Sequence, residues 1–262
     1  MTATHRPQIL LLAITLLVTF LTYACKTTPQ VKEDFTSPLI PDELWAQAVT
    51  ENAGLDSLYV PNAIGILVNG SFYEGLSAIK AHLSTLYPEG IDTIYNLARE
   101  IAGRDSSYTY ELSAYSSQGE HYRQLCIWNQ QETTPKRELE FLAKANLSQR
   151  PDSTVLDTFR QLWIERCNAH DAYTLVAKSY TPNALYYNHK PLVIGTEAIA
   201  TEYSYMNRAQ YSLLLTPLVV EMVNPDLAFE IGQCSGSYGS KYVLVWQRNE
   251  KGIWQVLFDS NI

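Results

Sequence analysis

The sequence predicts an α+β protein built from two copies of one domain. Landmarks of the first half return about 120 residues later, and the offset drifts by only a residue or two. The matched segments are 59–63 (YVPNA) with 180–184 (YTPNA), 75–79 with 195–199, 110–112 with 229–231, and Gly119 and Tyr122 with Gly239 and Tyr242. Both copies also place helix-like segments before strand-like ones. Repetition together with this order indicates two α+β domains in tandem.

The helical part is clearest in the second copy. The spacing of apolar residues predicts a helix over 155–168. Its predicted inner face consists of Val155, Phe159, Leu162, Trp163 and Arg166. Asp171 stands where an N-cap would begin a second helix over 172–180. The Tyr-x-Pro-Asn-Ala segment is interpreted as a turn, followed by a strand at 184–187, a turn at 189–191 and a short helix after Gly195.

The last 54 residues alternate between strand-like runs and turns. Strands are predicted at 209–223, 227–235, 241–248 and 253–258. Short turns at Gly239 and at 249–252 require antiparallel hairpins. The first copy repeats this order, with a second helix about five residues shorter. A bent antiparallel sheet wrapped around helices encloses a cone in each domain.

The N-terminal segment predicts export and anchoring. Residues 1–25 combine Arg6 with an apolar stretch from Ile9 to Ala24, which is short for a membrane span but suits a signal peptide. Cys25 after a small residue resembles the lipobox of bacterial lipoproteins, in which the cysteine is lipidated. The polar segment 26–40 is typical of a linker, and its Lys32-Glu33-Asp34 resembles an export tag. We therefore expect a lipid-anchored protein of the cell envelope, with the outer membrane favoured and the domains outside the cytoplasm. An ordinary secretory signal or an uncleaved anchor remains the alternative.

Charge and cysteine content exclude several classes of function. A net charge of -8 repels a phosphate backbone, so nucleic acid is not expected as a partner. Cys126, Cys167 and Cys234 remain after Cys25 is lipidated, an odd number without C-x-x-C spacing, which argues against a disulfide framework and a zinc site. The chain has no phosphate loop, dinucleotide fingerprint or nucleophile elbow, so no cofactor and no metal are expected.

The arrangement of motifs resembles the NTF2-like superfamily, nearest to its SnoaL-like and DUF4440-type members. The residues that carry the resemblance are an early helix with a Trp, Asn168-Ala169-His170-Asp171, the Tyr-x-Pro-Asn-Ala segment, Gly195-x-x-x-Ile199, the strand at 241–246 and the closing Gly252-x-Trp254-x-Val256. The resemblance implies a domain at 152–262 and a divergent one at 41–147. In the divergent copy Leu55-Asp56 replaces His170-Asp171, and the last hairpin has a different sequence that contains Pro135.

The resemblance also implies a pocket at the wide end of the cone, where an Asp or His of the enzymes removes a proton next to a carbonyl. The candidate catalytic residues are Asp171 and Glu230. The candidate ligand-binding residues are His170, Tyr187, His189, Tyr203, Tyr211, Trp246 and Asp259. Asp171 has a strong alternative role as a helix cap. Glu230, which has a counterpart in Glu111, is either a pocket group or a buried carboxylate satisfied by a Tyr or Arg.

Three functions remain open. The favoured one is non-catalytic binding of a small apolar or carbonyl-bearing ligand, or scaffolding. The alternative is an isomerase, cyclase or dehydratase of the SnoaL type that uses a pocket carboxylate of the second domain. A third is purely structural, since two copies in one chain could form an intramolecular pseudo-dimer. Pairing with a second chain as a homodimer is a further expectation.

Overall fold

The computed structural model describes residues 42–103, 105–131, 134–189 and 191–262. The predicted signal peptide (1–25), including Cys25, and the predicted linker (26–40) lie outside these residues. Within the described ranges, no helix is both long and apolar enough to cross a membrane.

Each domain contains three α-helices and six strands among the described residues. In domain 1 they are α1 (Asp42–Thr50), α2 (Leu55–Leu58), β1 (Tyr59–Ile66), β2 (Phe72–Glu74), α3 (Leu76–Leu86), β3 (Thr93–Ala102), β4 (Tyr108–Ser117), β5 (Glu120–Asn129) and β6 (Lys136–Lys144). In domain 2 they are α4 (Val155–Asn168), α5 (Ala172–Ser179), β7 (Tyr180–Tyr187), β8 (Val193–Ile194), α6 (Thr196–Glu202), β9 (Leu213–Asn224), β10 (Leu227–Gly236), β11 (Ser240–Arg248) and β12 (Trp254–Ser260), with a short 3-10 helix at Tyr203–Asn207.

The two sheets have the same topology, which confirms the predicted α+β class. The strand orders are β2-β1-β6-β5-β4-β3 and β8-β7-β12-β11-β10-β9. The sheets are antiparallel except for one pair each, because β1 runs parallel to β6 and β7 runs parallel to β12. This parallel pair brings the first strand of each domain beside its last, so residues far apart in sequence meet inside each cone.

The Tyr-x-Pro-Asn-Ala segment is part of a strand, which corrects its interpretation as a turn. Tyr180 pairs with Val256 and Leu185 with Phe258, so the intervening residues of β7 bulge out of the ladder. The same irregularity lies between Tyr59 and Ile64 of β1. A bulge accommodates proline, which lacks a backbone N–H for the ladder. The repeated motif therefore places a buried tyrosine at the start of a bulged strand.

A second pair of bulges lies in the last strand of each domain. Glu138 and Leu257 are the extra residues in β6 and β12, at equivalent positions. Because each bulge adds one residue, the side chains two places further on, Glu140 and Asp259, face into their cones beside the helices. The same register makes Trp128 equivalent to Trp246. The predicted equivalence of Tyr122 and Tyr242 is wrong, because Tyr122 pairs with Tyr115 whereas Tyr242 pairs with Gly232.

Helix α4 has the predicted bounds but presents a different face to the core. The residues that it buries are Leu156, Arg160, Trp163, Ile164 and Cys167. Of the predicted face only Trp163 is buried; Val155 is exposed, and Phe159, Leu162 and Arg166 are partly exposed. The buried residues are also at helical spacing, and Arg160 is the one charged residue among them, turned inward to pair with Glu230 at 2.8 Å.

The two sheets pack against each other through the faces that point away from the cones. One apolar cluster contains residues of both domains, and the rings of Phe141 and Phe229 meet edge to face with centroids 5.4 Å apart. Charged contacts flank the cluster, with Arg123 2.6 Å from Glu221. Each cone also has its own core of aromatic and aliphatic residues.

Candidate functional site

The interior of the domain 2 cone contains a small cavity of about 20 Å³. That is room for about one water molecule. Its lining is Trp163, Tyr203, Met206, Tyr211, Leu213, Leu215, Cys234, Tyr238, Tyr242, Leu244, Asp259 and Asn261. Asp259 is the only carboxylate in that lining, so the cavity is an apolar space with one acidic group.

A larger cleft of about 470 Å³ lies at the mouth of the same cone. This volume is in the range of small-molecule sites. The cleft is lined by Tyr186, Asn188, Tyr205, Arg208, Gln210, Tyr211, Ser237, Tyr238 and Asn261. Tyr211, Tyr238 and Asn261 line both spaces, so the cleft and the inner cavity adjoin.

Asp259 is held by two tyrosine hydroxyls. Tyr180 donates to Oδ2 at 2.5 Å, Tyr203 donates to the same oxygen, and Trp163 Nε1 donates to the Tyr180 hydroxyl at 3.1 Å. Oδ1 accepts no hydrogen bond from the described residues. Burial raises the pKa of Asp259 to about 6, although the two tyrosine hydrogen bonds lower it. The carboxylate therefore combines a free oxygen with a pKa near neutrality.

Domain 1 contains the same chain of hydrogen bonds around Glu140. Trp45 Nε1 donates to the Tyr59 hydroxyl at 2.7 Å, and Tyr59 donates to Glu140 at 2.5 Å. Its cone, however, is occupied by larger side chains than that of domain 2. By strand register, Tyr115 takes the place of Cys234 and Arg137 the place of Val256. The duplicated framework thus surrounds a cavity in domain 2 and packed side chains in domain 1.

Arg137 is fully buried in the domain 1 cone. Its guanidinium lies 4.3 Å from the ring centroid of Trp45 and 4.9 Å from that of Trp128, and it is 3.5 Å from Glu140. Burial, and next the neighbouring Asp42 carboxyl, raises the pKa of Glu111 to about 8. A protonated Glu111 lowers the number of buried negative charges around the arginine.

The two candidate catalytic residues do not line the cavity. Asp171 is exposed and caps α5, since its Oδ1 accepts from Thr174 N at 3.0 Å. Asp171 therefore has the alternative role of a helix cap that its position in the sequence suggested. His170, beside it, has a positive φ of 60° and its Nδ1 lies 3.4 Å from the carbonyl oxygen of Met206.

Glu230 is buried and its carboxylate is saturated with donors. Arg160 donates from Nε and Nη2 at 2.8 Å each, Tyr242 at 2.7 Å and Trp246 Nε1 at 2.8 Å. Four donors leave no lone pair positioned for a substrate proton. Glu230 is therefore a structural carboxylate satisfied by Arg and Tyr, and Trp246 is one of its partners rather than a cavity wall.

The remaining candidate ligand-binding residues separate into two groups. Tyr203, Tyr211 and Asp259 line the inner cavity. Tyr187 and His189 instead reach across to domain 1, where both contact Glu138. Their loop-like surroundings in the sequence carried no information about which domain they would face.

Sequence reasoning missed the residues that build the cleft and orient Asp259. These are Trp163, Tyr180, Tyr186, Asn188, Tyr205, Arg208, Gln210 and Tyr238. The tyrosine cluster at 186–187, 203–205 and 211 suits a pocket or an interface and so pointed to part of this set. The repetition of Trp, Tyr and acid at 45, 59 and 140 and at 163, 180 and 259 was a further usable signal. Among the described residues, no group of three His, Cys, Asp or Glu could hold a metal ion.

Fold and site together define a protein of two tandem cone-shaped α+β domains, of which the second has a ligand-sized cleft. No protein-family model and no curated protein matches the chain. Similar solved structures include a ketosteroid isomerase-like protein from Erwinia carotovora atroseptica (15% identity, 41% of this chain and 92% of that chain, TM-score 0.35). Others are an NTF2-like protein of unknown function from Pseudomonas putida (13%, 41% and 82%, TM-score 0.33) and a domain of unknown function with a cystatin-like fold from Nostoc punctiforme (18%, 42% and 75%, TM-score 0.35). Similarity at this level carries no information about activity.

Proposed function

We propose that the protein binds a small ligand in the cleft of domain 2 without transforming it. The observation that carries this proposal is the cleft of about 470 Å³ with four tyrosines, Arg208, Gln210 and two asparagines. Tyrosine rings offer apolar faces with polar edges. The Arg208 side chain is exposed and makes no ion pair with the described residues. This combination suits a planar or ring-shaped ligand with a carbonyl or carboxylate group.

The size of the inner cavity supports binding over catalysis. A space of about 20 Å³ admits a water molecule but not the reacting part of an organic substrate. A ligand in the cleft would therefore remain outside the cone, with Asn261 between it and Asp259.

The test is native mass spectrometry of the protein purified from its own cell envelope, followed by thermal-shift screening of planar carbonyl compounds. A retained or stabilising compound should lose affinity when Tyr205→Ala or Arg208→Ala is introduced. Tyr173→Ala is the matched control, because Tyr173 is 68% exposed and lies outside the cleft. An empty spectrum together with no thermal shift would contradict the proposal.

Catalysis by Asp259 is the second candidate. It is favoured by the free Oδ1 and by the pKa of about 6, which suits a base that removes a proton next to a carbonyl. Such a base would exchange the α-proton of a bound carbonyl compound with solvent deuterium. Deuterium incorporation measured by NMR, lost in Asp259→Asn with binding retained, would establish catalysis; no incorporation with a ligand that binds leaves binding as the function.

We also propose anchoring in the bacterial cell envelope through Cys25 and an intramolecular pseudo-dimer of the two domains. The first is supported by the lipobox-like sequence and the second by the apolar cluster that both domains share. Labelled palmitate should be incorporated into the wild-type chain and not into Cys25→Ser. Incorporation that persists in the variant would exclude Cys25 as the lipid site.

A further inference from the structure

The turn that follows β7 has one side chain in the cleft and the next one in domain 1. Asn188 lines the cleft, and its Nδ2 donates to the Tyr186 hydroxyl at 3.1 Å. Tyr186 in turn donates to Asn261 Oδ1 at 2.6 Å. His189 turns the other way and stacks on Tyr108 with ring centroids 3.6 Å apart. One turn therefore joins a wall of the cleft to the other domain.

The His189 contact is made by a bulge residue of domain 1. Because Glu138 is the extra residue of β6, its side chain points away from the cone and toward domain 2. His189 Nδ1 lies 2.8 Å from Glu138 Oε1, Tyr187 donates to the same oxygen, and Asn129 Nδ2 donates to Oε2 at 2.8 Å. Burial raises the pKa of Glu138, but these hydrogen bonds outweigh it and hold the pKa below its usual range.

The backbone of His189 is left-handed, with a φ of 66°. Asn, Asp and His adopt this region more readily than other side chains. The stacked ring of Tyr108 and the hydrogen bond to Glu138 hold the imidazole that this turn presents to domain 1.

The pseudo-symmetric end of the interface has no such contact. Leu257 stands in place of Glu138, and Val68 in place of His189. There the contact is made by Gln247 Nε2, which donates to the backbone carbonyl of Val68 at 2.9 Å. The carboxylate–histidine contact is thus confined to the end of the molecule that borders the cleft.

We propose that Glu138 of domain 1 is a positioning residue for the cleft of domain 2, acting through His189 on Asn188 and Tyr186. Domain 1, the divergent copy, then supplies a residue that completes the site of domain 2. Only the binding of a ligand in the cleft rests on the proposed function; the positioning of Asn188 and Tyr186 by Glu138 does not.

The test follows side-chain NMR signals of the full chain. Glu138→Gln should displace the side-chain amide signal of Asn188 and the ring signals of His189 from their wild-type positions. Glu221→Gln, which removes the interdomain ion pair of 2.6 Å with Arg123 near the end of β9 that lies away from the cleft, should leave both signals unchanged. An Asn188 signal that is the same in Glu138→Gln and wild type would overturn the proposal.

A second variant keeps the test valid if Glu138→Gln does not fold. His189→Asn tolerates the positive φ but removes the ring, and it should displace the Asn188 signal in the same way. Sodium benzoate, a planar carboxylate, serves as the probe of the cleft. Its affinity should fall roughly 2- to 30-fold in Glu138→Gln. Benzoate that binds neither protein would count against the proposed function, whereas the NMR result alone decides the positioning role.

Discussion

The hydroxyl of Tyr180 lies 2.5 Å from Oδ2 of Asp259, although the two residues are 79 positions apart in the chain. Tyr59 makes the same contact with Glu140 in the other domain, at 2.5 Å. In both domains a tryptophan of the first helix donates to the tyrosine. The pair of tyrosine and acid is thus a duplicated element of the fold. In the described part of domain 2, its carboxylate, Asp259, also borders a cavity.

Tyr180→Phe should destabilise the protein by about 1–3 kcal/mol, because Asp259 loses a donor and Trp163 Nε1 loses its acceptor in the buried interior. Urea denaturation followed by tryptophan fluorescence measures the change. Tyr173→Phe, on an exposed face of α5, should stay within about 0.5 kcal/mol of the wild type. Equal denaturation midpoints for the two variants would show that the buried hydrogen bond contributes nothing.

Asp259 should make folding stability depend on pH in a defined direction. Its folded pKa of about 6 lies above the ordinary value of 3.8, so the folded state holds the proton more tightly. The associated stability is fully present below pH 4 and is lost as pH rises to about 6, a change of about 3 kcal/mol. Asp259→Asn should lack this component. A wild-type-minus-variant stability difference that stays constant from pH 4 to 7 would refute the raised pKa.

Gly232 should tolerate no side chain, because a Cβ there would lie 2.2 Å from Cζ of Tyr242, whose hydroxyl donates a hydrogen bond to Glu230. Gly232→Ala should cost about 1–3 kcal/mol through overpacking. Gly239→Ala is the matched control, since no atom lies within 4 Å of its Cβ position. Thermal unfolding of the two variants compares them, and a Gly232→Ala protein as stable as Gly239→Ala would contradict the close contact.

Arg160→Met should destabilise domain 2 by about 3–5 kcal/mol, because Glu230 would remain buried without a cation. The double variant Arg160→Met/Glu230→Leu should recover most of that loss, which a double-mutant cycle measures. Arg248→Met, at an exposed pair with 3.6 Å between Arg248 and Asp226, should change stability by less than about 1 kcal/mol. Failure of the double variant to recover stability would point to lost packing rather than an unpaired charge.

Much of the architecture was predictable from the sequence because its signals are local. The bounds of α4 and the order of the last four strands follow from apolar spacing and turn residues. The predicted inner face of α4 was wrong because two neighbouring stripes have helical spacing, and the buried one includes Arg160, whose partner Glu230 is 70 residues away. Tyr187 and His189 were assigned to the pocket because nothing local distinguishes a cleft wall from a domain interface.

Repetition and residue periodicity were sufficient for the two-domain α+β architecture, since both are read from neighbouring residues along the chain. The chemistry of the site depended on the tertiary structure. The parallel pairing of first and last strands brings Tyr180 to Asp259, and a one-residue bulge turns Asp259 inward. The equivalent bulge turns Glu138 outward to His189. A one-residue change of register reverses the direction of a side chain in a strand, and its position is set by pairing with distant strands.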